Sequence, residues 1–156
     1  MKTCPFVALI LLTLIPLVAG AQNKYVPKAN EELYGVWNDA TLPTAYEVYS
    51  PGAYQDYFRG IEAVMREATF RIDSKWADSE GSIWYKVFGV DTDGQKFQVL
   101  FKVSLKGTLL EKQLKLVLDF DPGNYPTVLD PSDPYYHAYT RDTTPLSPKN
   151  LIIEQQ

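Results

Sequence analysis

The chain of 156 residues is short of the side chains that most often carry chemistry: it has one cysteine, one histidine and two methionines. A single cysteine excludes a disulfide framework and a zinc-ribbon site within the chain. A single imidazole, His137, leaves little material for a His-based metal centre or a Ser–His–Asp triad. No G-x-S-x-G run occurs, so the nucleophile elbow of α/β-hydrolases lacks its motif. Positive charge is also in short supply. Fifteen Lys and Arg face 19 Asp and Glu, for a formal charge of −4. That balance argues against a nucleic-acid partner, whose affinity rests on basic side chains facing phosphates. What the chain does have is aromatic: 11 Tyr, 7 Phe and 3 Trp within a 46% hydrophobic composition. A disordered chain is poor in such residues, and this length fits one packed domain.

Residues 1–21 read as a secretory signal peptide. Lys2 supplies the positive start, Phe6 to Val18 an apolar run, and Ala19-Gly20-Ala21 a small-residue cleavage site. The run is shorter than the roughly 20 residues that span a bilayer, so no transmembrane segment is expected in the mature chain. Cys4 precedes the run and no cysteine follows it, so no lipid anchor is expected either. Cleavage near Ala21 removes Cys4 and Lys2 and leaves a cysteine-free, more acidic chain, periplasmic or extracellular. The expected organisation is signal peptide 1–21, exposed lead-in 22–31, one domain over 32–142, and a C-terminal tail over 143–156.

Within the domain the hydrophobic pattern is mostly that of strands. Leu33 to Trp37 and Ala45 to Tyr49 are short β-branched and aromatic runs, the second with Tyr46 and Val48 on one face. Phe70, Ile72 and Trp76 alternate with polar residues, and Ile83, Tyr85 and Val87 return after the turn cluster Asp78-Ser79-Glu80-Gly81. Phe97, Val99, Phe101 and Val103 form the cleanest alternation, after the turn Asp91-Thr92-Asp93-Gly94. Leu114, Leu116 and Leu118 follow, then a proline-rich loop and a last strand over Tyr135 to Arg141. Residues 51–67 break the pattern. Tyr54, Tyr57, Phe58, Ile61, Val64 and Met65 recur at spacings of three and four, which predicts a short helix over about 53–66, entered at Ser50-Pro51. A loop with an irregular edge strand is the alternative. Short strands joined by tight turns predict an all-β fold, a closed antiparallel barrel or a sandwich.

Two sets of residues carry a resemblance. Gly35-x-Trp37 on the first strand, with Arg141 at the end of the last, resembles the opening and closing residues of lipocalins. Trp76-x-Asp78-Ser79-Glu80-Gly81-x-x-Trp84-Tyr85 and the later Asn124-Tyr125-Pro126-Thr127 are similar to segments of small exported lipocalin-like (calycin-type) proteins of bacteria. The resemblance covers roughly residues 31–142. It implies an antiparallel barrel of about eight strands, an exported and non-catalytic role, and Arg141 laid over Trp37 where the barrel closes. It implies no particular ligand.

On this fold the inward aromatics Tyr46, Phe70, Tyr85, Phe97 and Phe101 are the candidate ligand-binding residues. They either line a cavity or fill the barrel. The first alternative makes the protein a non-covalent binder of a small apolar or amphiphilic molecule, with the 51–67 segment as a lid. The second makes it an envelope-associated structural module whose partner is another protein. No enzyme activity, cofactor or metal is expected. Asp91-x-Asp93-Gly94 resembles the start of a calcium loop but lacks the closing Glu at the required distance, and turn chemistry accounts for it. The same chemistry accounts for Asp119, Asp121, Asp130 and Asp133.

Overall fold

The computed structural model describes residues 25–42, 44–59, 63–104, 112–121 and 123–142. The expected signal peptide and the tail over 143–156 lie outside the described residues. The described residues form eight strands: β1 (Gly35–Asp39), β2 (Ala45–Ser50), β3 (Ala53–Phe58), β4 (Ala63–Ala77), β5 (Ile83–Asp91), β6 (Lys96–Ser104), β7 (Gln113–Asp119) and β8 (Tyr136–Arg141). Each pairs antiparallel with the next, and β8 pairs with β1, so the sheet closes into a barrel. Among the described residues, closure leaves no strand edge to pair with another chain.

The tight turns explain this order. Gly52, Gly81 and Gly94 sit at φ near +80°, where side chains with a Cβ are strained, and each ends a hairpin. Asp78 and Asp91 hold their turns by accepting backbone N–H bonds, Asp78 from Glu80 and Ser82, Asp91 from Asp93 and Gln95. Asp78 also accepts the indole N–H of Trp84 at 2.9 Å, and Trp84 stacks on Trp76 at 5.9 Å. The W-x-D-S-E-G-x-x-W run is therefore a self-bonded hairpin tip.

The described residues of 51–67 are not helical. Among the described residues there is no helix, and this segment supplies β3 and the start of β4. Two features mimic helical spacing. Apolar residues fall on both faces of β3, with Tyr54 turned inward to Tyr49 and Tyr57 outward against Tyr46. The register between β3 and β4 also shifts at Asp56/Tyr57, so Met65 is an extra residue that resets the alternation. Pro51-Gly52 is the turn between β2 and β3, not a helix start. The segment is barrel wall, and the expected lid is absent from the described residues.

One end of the barrel is plugged. The segment before β1 crosses it, with Leu33 and Trp37 wholly buried. The Trp37 indole N–H donates to the Leu33 carbonyl at 2.8 Å. Burying side chains of this size contributes roughly 1.5–3 kcal/mol each. The exposed lead-in ends before Glu31, whose carboxylate is buried and bonded by the Tyr25 hydroxyl, the Lys28 backbone N–H, the Lys75 ammonium and the Tyr85 hydroxyl. On the outside, the segment between β7 and β8 reaches β4 through a bond from the Tyr125 hydroxyl to Asp73. Leu100 and Val117 point outward on the strands between and are still only 2% and 3% exposed.

Candidate functional site

The other half of the barrel is hollow. A cavity of about 420 Å³ opens at the end carrying the β1–β2 and β5–β6 turns. Its walls are built by strand alternation: Phe70 on β4, Val87 on β5, Phe97 and Phe101 on β6, and Leu116 and Leu118 on β7. Phe97 lies across Gly89 of β5, where an added Cβ would come within 2.1 Å of its ring. Gly89 thus lets Phe97 lie flat against the wall instead of filling the lumen.

Glu47 of β2 points into this cavity and is buried. Three phenols bind it. Tyr49 donates to Oε2 at 2.5 Å, and Tyr139 and Tyr54 donate to Oε1 at 2.6 and 3.1 Å. The fold brings them together from three strands. Tyr49 is two residues along the same face of β2, Tyr54 is its cross-strand partner on β3, and Tyr139 reaches past β1 from β8. Tyr49 is held edge-on to Phe101 at 5.4 Å and to Phe70 at 6.1 Å. Burial pushes the Glu47 carboxyl up to about 7, with Asp56 adding to the rise and the three phenols opposing it. Burial, with Glu47 alongside, pushes all three phenols up, so they remain protonated donors.

Nearer the mouth stand Asp39, Asp56, Arg66, Glu67, Asp91 and His137. Asp39 is held down because its bonds to Thr41 and the Leu42 N–H outweigh its burial. Asp56 is raised by burial despite Arg66 4.0 Å away. His137 is exposed at the rim and stacks against Tyr139 at 6.1 Å. Among the described residues no group of three or more His, Cys, Asp or Glu could hold a metal ion.

The expected binding residues divide. Phe70, Phe97 and Phe101 line the cavity. Tyr85 is buried at the plugged end instead, its hydroxyl on Glu31. Tyr46 is on the outer face, stacked on Tyr57 at 5.0 Å with the Arg59 guanidinium 5.0 Å from its ring. The reason is that β2 turns Glu47 inward, and alternation then sends Tyr46 and Val48 out to pack with Val36 and Tyr57. At the closure, the Arg141 guanidinium carbon lies 4.9 Å from the Trp37 ring centroid, and the two residues are cross-strand partners. Gly35 has φ of +131°, and a Cβ there would sit 2.2 Å from Arg141 Nη2. The glycine of G-x-W is the space through which the arginine reaches the indole.

Sequence reasoning missed Glu47, Tyr49, Tyr54 and Tyr139. The available signal was a lone carboxylate flanked by aromatics in Ala45-Tyr46-Glu47-Val48-Tyr49. No family model, no curated protein and no solved structure matches this chain.

Proposed function

We propose that this chain is an exported, lipocalin-like binding protein that takes a small, partly apolar molecule non-covalently into the open half of its barrel. The observation that carries this reading is the cavity. Its volume of about 420 Å³ lies in the range of small-molecule sites, roughly 300–1,000 Å³. Its walls are aromatic and aliphatic, with a few polar groups converging at Glu47, which is the composition such sites have. The same void weighs against the alternative of a structural module with a filled barrel. The lipocalin-like assignment draws support from Arg141 over Trp37 beside Gly35 in a closed eight-stranded barrel. Export rests on the sequence of residues 1–21, and N-terminal sequencing of protein from its own host should begin at Gln22.

Native mass spectrometry of that host-purified protein tests the binding reading. The expected result is a reproducible adduct that is released on denaturation with its mass unchanged, as binding without turnover requires. A bare chain that also fails to take up a neutral apolar dye would overturn it.

A further inference from the structure

We infer that the ligand is a hydrophobic amine, its cationic nitrogen seated at Glu47 among Tyr49, Tyr54 and Tyr139 and its apolar body against the Phe70–Phe101 wall. This rests on the reading of the cavity as a binding site and adds the chemical class of what enters it.

The first ground is an imbalance of charge in an enclosed space. Buried carboxylates are normally paired with a cation, because taking an unpaired charge out of water is costly. Glu31 at the plugged end obeys this through Lys75. Glu47 has hydrogen bonds from three neutral phenols. The fixed cation nearest in the cavity lining, Arg66, is 81% exposed in its side chain and lies 4.0 Å from Asp56 instead. A cationic ligand would supply the missing charge.

The second ground is the count of hydrogen-bonding positions. A carboxylate offers about four acceptor positions. Three are taken here, two on Oε1 and one on Oε2, so Oε2 keeps one. Each phenol oxygen that donates to Glu47 can still accept. An ammonium group brings up to three donors and no acceptor, which matches a site rich in acceptors. A carboxylate ligand would bring only acceptors beside Glu47, Asp39 and Asp56 and would be repelled.

The third ground is the wall. The Tyr49, Tyr54, Phe70 and Phe101 rings surround the approach to Glu47. Aromatic faces attract a desolvated cation and also accept an apolar body.

The test uses the mature protein, residues 22–156, and a neutral fluorescent naphthylamine dye to report occupancy of the cavity. Three competitors of nearly equal size are titrated near pH 8: phenethylamine, phenethyl alcohol and phenylacetate. Phenethylamine should displace the dye at a concentration about tenfold or more below the alcohol, and phenylacetate should be the weakest. Glu47→Gln should remove the preference of amine over alcohol, bringing their displacing concentrations together. Equal displacement by amine and alcohol in the wild type would overturn the inference while leaving the binding site intact. So would an amine preference that survives in Glu47→Gln. Failure of the dye and all three competitors to bind would overturn the binding reading, and the inference with it.

Discussion

The barrel buries two glutamates, one at each end, and treats them in opposite ways. Glu31 sits under the plug with the Lys75 ammonium, two phenols and a backbone N–H. Burial alone would raise its carboxyl, but these partners outweigh burial and hold it down at about 2. Glu47 sits at the inner end of the cavity with three phenols, and burial wins, raising it to about 7. Both accept phenolic hydrogen bonds, so those bonds do not separate them. Glu31 differs first by the backbone N–H of Lys28 and then by the bond and positive charge of Lys75. Neutral donors soften the penalty of burying a carboxylate, and a cation removes it. The plugged end is electrostatically complete without a ligand; the open end is not.

The largest expected effect comes from breaking the completed end. Lys75→Met leaves Glu31 buried with neutral partners only, the situation of Glu47. Breaking a buried ion pair by removing one member costs roughly 3–5 kcal/mol. The surviving phenols and the Lys28 N–H put the expected loss at about 3 kcal/mol at pH 7, read by urea denaturation. Because Glu31 is depressed when folded, its contribution is present above pH 4.5 and is lost as pH falls through about 2. The deficit of the variant should shrink over that window. An unchanged midpoint at pH 7 would show that the ammonium is not what distinguishes the two ends.

The converse experiment acts on the incomplete end. Glu47 binds its proton more tightly when folded, so its effect on stability runs the other way. It favours the folded state fully below pH 4.5, and that advantage is lost as pH rises through about 7. Each tenfold gain in proton affinity is worth about 1.4 kcal/mol, which makes the full span about 3 kcal/mol. Glu47→Gln keeps the shape and removes the charge, so it should be about 2 kcal/mol more stable than wild type at pH 8 and near equal at pH 5. The slope should be reduced but not abolished. Asp56 on β3 is also raised by burial, and Asp39 on β1, Arg66 on β4 and His137 on β8 face the same space.

A third variant tests the closure at the plugged end, where charge meets a ring instead of a carboxylate. Gly35→Ala forces a Cβ into the Arg141 guanidinium on backbone at φ of +131°. Strain of this kind costs of order 1–3 kcal/mol, and about 2 kcal/mol is expected from thermal or urea unfolding. In an Arg141→Ala background the same change should cost visibly less, since only the backbone strain remains. Additive losses would mean that glycine and arginine are not coupled.

The two ends were unequally legible in the sequence. Closure rested on the resemblance carried by Gly35-x-Trp37 early and Arg141 late, and the alternation of β6 needed no distant partner to be read. Glu31 and Glu47 were opaque because their surroundings are made by the fold. The lysine that holds Glu31 is 44 residues away, and one phenol on Glu47 is 92 residues away. The parity of β2 misled for a related reason. Both of its faces are packed, so the apolar pair Tyr46 and Val48 did not mark the inside. In β3 and β4 the two-faced packing and the extra residue Met65 together produced a helical spacing in a pair of strands. The strand class followed from backbone pattern, whereas the site followed from which polar groups found partners across the barrel.

The smallest effect sharpens the comparison most. Tyr139→Phe removes one phenol from Glu47 and no charge from either end. The Tyr139 bond at 2.6 Å opposes the rise of the Glu47 carboxyl, so its loss should raise that carboxyl further. The bond has most value when Glu47 is ionised, and hydrogen bonds to charged groups contribute roughly 1.5–3 kcal/mol. Tyr54 still donates to the same oxygen, so the expected loss is about 1 kcal/mol at pH 8 and less at pH 5. The pH dependence of unfolding should therefore steepen, the opposite of Glu47→Gln. A loss of equal size at both pH values would mean that Tyr139 acts by packing alone, and that its phenol does not share in holding the unpaired charge.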